Sequence, residues 1–407
     1  MHILVITCVY SPEPVVSAVM SSDIAEELVR QGHSVTVLAP FPSKTSGRLY
    51  PGYKRALYRK EKLHDAEIIR CWSVLGSSSP ITKLFENISY GITSSLRFLF
   101  MRTTPDVVYL NTWPIFATVM GVIVAKLKKV RIIRSIKDLY PETLVAYGLI
   151  KKNGAVYGLL DKIERFNFVN STKNVVLSGR FSKIFQQKGW NQDLISIIPD
   201  WNNFETMALP EKYPDNSSYS NFSIGFGGNI SKAANVEFLI ECFSEGLKYN
   251  KNMIMTILGD GASLDRCIER ASELGIVSSV EFHRKWEKSE TITRLSQFTI
   301  LVLPTNPGQA TYSVPSKIFS YMKAGRPVFA IGDKGSELES IILQSKGGWI
   351  THSYNSAEIG KHLATISQLP ITKLQEIGDA GSIFMDSRHN RDKNRDQYCH
   401  LIVDKHD

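Results

Sequence analysis

Short apolar runs alternate with helical patterns along almost the whole chain, and the series is played through twice. Strands are expected at 3–7, 34–39, 67–71, 106–110, 130–134, 174–177 and 195–198, and again at 222–226, 253–258, 280–282, 299–303, 327–331 and 349–351. Runs this continuously apolar suit strands buried on both faces, as in parallel sheets covered by helices. Helices are expected at 17–31, 233–248, 264–274, 314–323 and 336–343. In the first, Met20, Ile24, Ala25, Leu28 and Val29 line one stripe, and Gly32 supplies the usual stop. A chain of 407 residues is too long for one ordinary core. Between the two series, residues 205–221 end in EKYPDNSSYSN, polar and rich in turn formers, and read as a linker. The expected organisation is a first domain at 1–204, the linker at 205–221, a second domain at 222–370, and polar helices at 371–407 that pack back across both. The fold class is α/β: two Rossmann-like parallel-sheet domains facing a central cleft.

Composition narrows the functions. With 43% hydrophobic and 21% charged residues the chain is globular rather than disordered. Five scattered cysteines, an odd number with no C-x-x-C pair, argue against a zinc ribbon or a disulfide framework and fit a reducing compartment. The opening MHILVI lacks the charged lead of a signal peptide and reads as the first strand. The longest clean apolar run, 115–125, is closed by Lys126 and falls short of the roughly 20 residues of a spanning helix. A soluble chain with no membrane span is expected. Its formal charge of +9 suits nucleic acid, anionic lipid or phosphorylated small molecules. Lys54, Arg55, Arg59, Lys60 and Lys62 form one basic cluster. Nearby, residues 82–101 carry Leu84, Phe85, Ile88, Ile92, Leu96, Leu99 and Phe100 at near-helical spacing. That stripe suits either an anionic lipid surface or the domain's own core.

Ligands of parallel sheets bind beyond the carboxyl ends of the strands, so the strand-to-helix junctions are where chemistry is expected. The first, Tyr10-Ser11-Pro12-Glu13-Pro14, has no glycine, and none occurs before Gly32, which disfavours a dinucleotide-binding oxidoreductase. In the second series, Gly227-Gly228-Asn229 leads into Lys232, and Gly259-Asp260-Gly261 follows the next strand. Paired glycines let a ligand approach the backbone, although they also make plain turns. Tyr312-Ser313-Val314-Pro315-Ser316-Lys317 opens a helix that Gly325 ends. A Ser313 cap, free N–H groups and the Lys317 ammonium together would hold a phosphate; a capped helix with one surface lysine is the plainer reading. In the first series, Asp138 and Glu142 crowd a strand end, where they can orient or deprotonate an acceptor hydroxyl or form a solvated loop.

Taken in order, YSPEP, ELVRQGHSVTVLAPFP, GRLYPGY, IKDLYPE, VVLSGRF, IIPDW, GFGGNI, ILGDG and YSVPSKIFSYMKAGRPV resemble the family-4 retaining glycosyltransferases of the GT-B fold over most of the chain. The resemblance is to a bacterial branch that builds O-antigen, capsule or colanic-acid sugars, L-fucosamine transferases among them. It implies a donor bound by the second domain and an acceptor bound by the first. Gly228, Asn229, Ser316 and Lys317 would face the nucleotide diphosphate, with Asp260 and Arg284 near the nucleotide; Gly227, Lys232, Tyr312 and Ser320 complete the candidate donor site. Asp138 and Glu142 would serve the acceptor side, and Lys317 would stabilise the leaving group. The wider family carries two glutamates that fall here on Tyr312 and Ser320, and an Arg and a Lys that fall on Asn229 and Ala234. These departures bear on which donor is used.

The expected reaction is transfer of a hexosyl or acetylaminosugar group, such as L-FucNAc, from a UDP-sugar to an undecaprenyl-diphosphate-linked saccharide. No cofactor and no metal beyond that donor are expected, since no Asp-x-Asp pair is present. The expected location is cytoplasmic and peripheral at the inner face of the membrane, with no nucleic-acid partner. Two rivals stay open: a sugar-nucleotide epimerase of the same bilobal fold, which would need no acceptor or lipid-facing stripe, and a basic nucleic-acid binder without a recognised motif.

Overall fold

The computed structural model describes residues 1–407 except 14, 44–46, 76–79, 112–114, 147, 202–220, 285–289, 313 and 405–407, and except the side chains of 80, 81 and 312. The chain divides into two compact units, Met1–Asn202 with Arg391–Asp407, and Asn203–Asn390. Apart from Asn221, the segment 205–221 lies outside the described residues.

The first unit is built on eight strands: β1 (His2–Thr7), β2 (Ser34–Pro40), β3 (Tyr58–Leu63), β4 (Ala66–Cys71), β5 (Val107–Asn111), β6 (Arg131–Ile136), β7 (Lys173–Val176) and β8 (Ile195–Ile197). Their order is β3-β4-β2-β1-β5-β6-β7-β8. Every neighbour pairs in parallel except β3, which lies antiparallel to β4. In β1 the alternating side chains serve two cores. Ile3 and Val5 meet the helix Val16–Arg30, while Leu4 and Ile6 meet the helices Pro80–Leu99 and Ile115–Leu127. Burial on both faces is why these strands read as solid apolar runs.

The second unit carries β9 (Phe222–Gly227), β10 (Met253–Leu258), β11 (Val280–His283), β12 (Ile300–Pro304), β13 (Val328–Ile331) and β14 (Gly348–Thr351) in the order β11-β10-β9-β12-β13-β14, all parallel. Ile300 and Val302 join one core with the helices Val236–Leu247 and Ser356–Ile366; Leu301 and Leu303 join the other with the helix Lys317–Lys323. The expected α/β class with two parallel-sheet domains is what the chain adopts.

Several expectations need correcting. β3 was read only as a basic cluster, yet Arg59, Lys60 and Lys62 lie on an edge strand. Charge there is partly neutralised, Lys60 by Glu67 at 2.5 Å and Lys62 by Asp65 at 2.7 Å. The helix expected from 314 starts at Lys317, and the one expected from 233 starts at Val236 after the 3-10 turn Lys232–Ala234. The helix that carries the stripe at 82–101 is only partly taken up by the domain's own core. Tyr90 and Phe98 are buried in the core, while Phe85 and Phe100 are 55% and 72% exposed. Of the polar helices near the end, Ile371–Arg388 belongs to the second unit and packs on Lys317–Lys323. Arg391–Val403 belongs to the first, where it packs on Val16–Arg30. Its Tyr398, Cys399 and Ile402 are fully buried there, and Arg391 forks onto Asp23 with two contacts of 2.8 Å.

Candidate active site

β9 and β10 are parallel neighbours, so the loops beyond their carboxyl ends lie side by side. Gly228 N–H donates to the carbonyl of Leu258 at 2.8 Å, and Ile230 N–H to that of Asp260 at 2.9 Å. The loops close so tightly that a β-carbon on Gly259 would stand 2.0 Å from the carbonyl oxygen of Gly228. Only glycine fits, which is the physical content of the two glycine motifs. Asn229 and Asp260 are exposed at this edge, and Asp260 Oδ1 accepts from the Gly261 N–H at 2.8 Å.

Lys317 reaches the same loop from the start of its helix. Its stem packs on the bare backbone of Gly228, and Nζ lies 5.4 Å from the centre of the buried Phe226 ring. Among the described residues no carboxylate pairs with this ammonium. Burial accordingly pulls it below the usual lysine range. A desolvated cation without a partner, at a strand end lined by backbone, is a place for an anion.

One turn on, the fully buried Tyr321 holds the loop in place. Its hydroxyl accepts from Gly227 N–H at 2.8 Å and donates to Gly227 C=O at 3.1 Å. Burial drives its phenol well above the ordinary tyrosine value. Tyr321 was not singled out from the sequence, although its spacing of four from Lys317 put both on one helix face.

The remaining expected donor residues are distributed less simply. Ser316 is exposed at the N-cap without a side-chain cap. The helix it precedes has seven residues, and the N–H groups of Ile318 and Phe319 already bond to the carbonyls of Pro315 and Ser316 at 3.0 and 3.3 Å. Of the free N–H groups expected at the start of this helix, those of 318 and 319 are therefore used internally. Ser320 donates to the Lys317 carbonyl at 2.9 Å, a bond inside its own helix. Tyr312 ends the short helix Gln309–Tyr312, and its side chain lies outside the described residues, as does Ser313. Lys232 is exposed, with its carbonyl accepting from Asn306 Nδ2 at 3.1 Å. Arg284 is exposed beyond β11 and contacts Asp265 at 3.2 Å.

In the first unit, Asp138 and Glu142 follow β6. Asp138 is half-buried. Glu142 opens the short helix Glu142–Ala146, and its Oε1 accepts from Lys188 Nζ at 2.6 Å and from the Tyr157 hydroxyl at 3.0 Å. Burial would lower Lys188, but hydrogen bonds to Asp161 and Glu142 hold it above the ordinary lysine value. Burial together with the neighbouring Glu142 charge pushes the Tyr157 phenol up to about 12. Glu142 is thus held between a cation and a phenol hydroxyl. Beside it, Lys137 pairs with Asp200 and lies 3.4 Å from the hydroxyl of Tyr398, which in turn meets Ser135 Oγ at 3.2 Å.

Comparison with known proteins adds three kinds of likeness. Residues 17–201 match the family described as glycosyl transferase 4-like domain, and residues 221–368 match glycosyl transferases group 1. The chain is 22% identical over 246 residues to WbjE of Pseudomonas aeruginosa, named as a glycosyltransferase, a match covering 59% of this chain and 60% of that one, less than two thirds of its length. It is 23% identical over 354 residues to WcaI of Escherichia coli strain K12, named as a colanic acid biosynthesis glycosyl transferase, over 83% of this chain and 85% of that one. The solved structure of HepE from Anabaena, in complex with UDP and glucose, superposes with a TM-score of 0.67 at 15% identity over 98% of this chain and 99% of that one. At that identity the likeness is one of fold.

Proposed function

Since the chain belongs to the glycosyltransferases and has the GT-B fold, we propose that it moves a sugar from a nucleoside-diphosphate donor, a UDP-sugar, to an undecaprenyl-diphosphate-linked saccharide in surface-polysaccharide synthesis. The observation that carries this reading is the half-buried Lys317 ammonium, without a carboxylate partner among the described residues, lying on the Gly227-Gly228 loop. The donor's diphosphate rests there, with Asn229 and Asp260 at its edge. The bond from the anomeric carbon to the phosphate oxygen breaks and one to an acceptor hydroxyl oxygen forms, with retention of configuration. The hydroxyl proton passes to the phosphate oxygen that the anomeric carbon has left, and the nucleoside diphosphate departs. Lys317 neutralises charge growing on the diphosphate, a term whose loss typically slows catalysis by roughly 100- to 1000-fold.

Asp138 and Glu142 belong to the acceptor side, Glu142 by positioning that loop through Lys188 rather than as a free base. The relatives named for colanic acid and surface-sugar chemistry support a saccharide acceptor, and the UDP held by HepE supports the uridine donor. An N-acetylated deoxyamino sugar such as L-FucNAc is the transferred group we favour. Because Ser320 is turned onto its own helix, ribose recognition must come from other groups than the family glutamate it replaces. The matched families and relatives lend no support to an epimerase or a nucleic-acid binder.

Among the described residues no helix is long and apolar enough to cross a membrane. The exposed stripe Phe85, Ile92, Leu96 and Leu99 supports peripheral contact with the inner face of the cell membrane, where a lipid-linked acceptor is found. Thermal-shift titration with UDP, GDP, UMP and nucleotide-sugars tests the donor reading. A shift with UDP that Lys317→Ala weakens is expected; no shift with any nucleotide overturns it.

A further inference from the structure

Where the first unit's strands begin, at the end of the sheet away from Asp138, lies a cavity of about 640 Å³. His2 of β1 and Thr36 of β2 form part of its wall, and Lys60 and Glu67 line it from β3 and β4. Arg97 and Arg102 enter from the last turn of the helix Pro80–Leu99 and the segment after it. Most of these charges are already answered. Lys60 pairs with Glu67 at 2.5 Å. The His2 ring meets Thr36 Oγ1 at 3.0 Å and is kept toward neutrality chiefly by burial, while the His2 backbone N–H donates to Asp106 Oδ2 at 2.7 Å. The two guanidiniums are different: among the described residues neither Arg97 nor Arg102 has a hydrogen bond or an ion pair. Planar forks left unpaired beside hydroxyl groups match the geometry of a phosphoester.

The rim is apolar on one side. Phe100, 72% exposed, stands beside the opening, and Leu99, Leu96, Ile92 and Phe85 continue from it along one exposed face of the helix. A soluble phosphate compound would have no use for that face. An anionic lipid would use both parts, its phosphate on the arginines and its glycerol and acyl boundary on the phenylalanine.

We propose that this cavity seats the headgroup phosphate of an anionic phospholipid. The proposal rests on the membrane contact inferred above and gives it a defined anchor. A 20-residue helix is about 30 Å long, and this one runs from the carboxyl ends of the strands to their beginnings. With its far end anchored and its stripe on the bilayer, the helix and the strands beneath it lie along the membrane surface.

Vesicle flotation of the full chain tests this, with phosphatidylcholine vesicles either pure or carrying phosphatidylglycerol. The variants are Arg97→Gln with Arg102→Gln, Phe100→Ser, and Phe85→Ser with Leu96→Ser; the thermal shift with UDP reports that each is folded. Retention on phosphatidylglycerol vesicles should fall about thirtyfold without the two arginines. It should fall also with Phe100→Ser, and glycerol 1-phosphate should raise the melting temperature of the wild type and of the two apolar variants but not of the arginine variant. If the arginine variant floats as well as the wild type while the Phe85/Leu96 variant does not, the cavity proposal is overturned and the membrane reading stands. If the wild type ignores vesicles yet glycerol 1-phosphate stabilises it through the two arginines, the site takes a soluble phosphate and the lipid assignment fails. Neither response overturns both.

Discussion

A β-carbon on Gly228 would stand 2.3 Å from Cε of Lys317, and Gly228 itself holds φ at +138°. The lysine stem is seated on backbone that only glycine can offer, so each residue sets the other's position. Gly228→Ala should strain the loop by roughly 1–3 kcal/mol. By pushing the ammonium off the diphosphate it should also weaken UDP binding about tenfold or more. Isothermal titration and thermal melting together check this; unchanged affinity would mean that Lys317 is not a diphosphate contact.

Tyr321 and Ser320 are adjacent in sequence and should behave oppositely. Tyr321→Phe leaves the buried Gly227 N–H unanswered, at a cost of about 1–3 kcal/mol, and loosens the loop that carries the donor. Ser320→Ala removes only a bond within its own helix and should stay within about 0.5 kcal/mol of the wild type. Chemical denaturation of the two variants, with UDP affinity measured alongside, separates them.

The depressed Lys317 value gives a pH signature with a definite sign. Between the lowered folded value and the ordinary lysine value, the unfolded chain holds a proton that the folded one has released, so stability rises with pH across that window. Nucleotide affinity moves the other way, because the neutral amine no longer answers the diphosphate. The difference between wild type and Lys317→Met, followed from neutral to alkaline pH, should show both slopes. Parallel curves for the two proteins would remove the ammonium from the binding step.

At the helix Arg391–Val403, Asp23 takes both Arg391 contacts and the indole N–H of Trp201 at 2.8 Å. Arg391→Ala leaves a carboxylate that is only 6% exposed without its cation. The expected loss is roughly 2–3 kcal/mol, less than for a fully buried pair because Arg391 stays partly in water. Adding Asp23→Asn should recover part of it. Denaturation followed by tryptophan fluorescence in a background where Trp286 and Trp349 of the second unit are replaced by Phe reports the first unit, and UDP binding by the second should persist.

Much of this was legible in the sequence because parallel strands buried on both faces leave solid apolar runs such as ILVI in β1. The glycine motifs were legible because close backbone approach admits no side chain, and the structure seats the Lys317 stem on that same backbone. β3 was not: YRKEKL pairs along one side only, at the sheet's edge, so no apolar run marks it. The helix Ala155–Val169 escaped notice because Val156, Leu159, Phe166 and Val169 are exposed and blur its stripe. Tyr321 reads as an ordinary core aromatic; what gives it a role is the arrival of Gly227 beneath its hydroxyl, a contact between residues 94 apart. The clamp on Glu142 is of the same kind, since Lys188 meets it only after the intervening helices have folded.

The side chains of Tyr398, Cys399 and Ile402 fill the core of a unit whose residues outside the segment Arg391–Asp407 all precede Asn203. A nascent chain leaving the ribosome therefore synthesises the whole of the second unit before it can finish the first. Until then the first sheet presents an unsealed apolar face, and a message truncated at codon 391 yields a protein whose second unit can fold while its first stays exposed to chaperones and proteases. Completion of translation is built into this architecture as a condition for a finished enzyme.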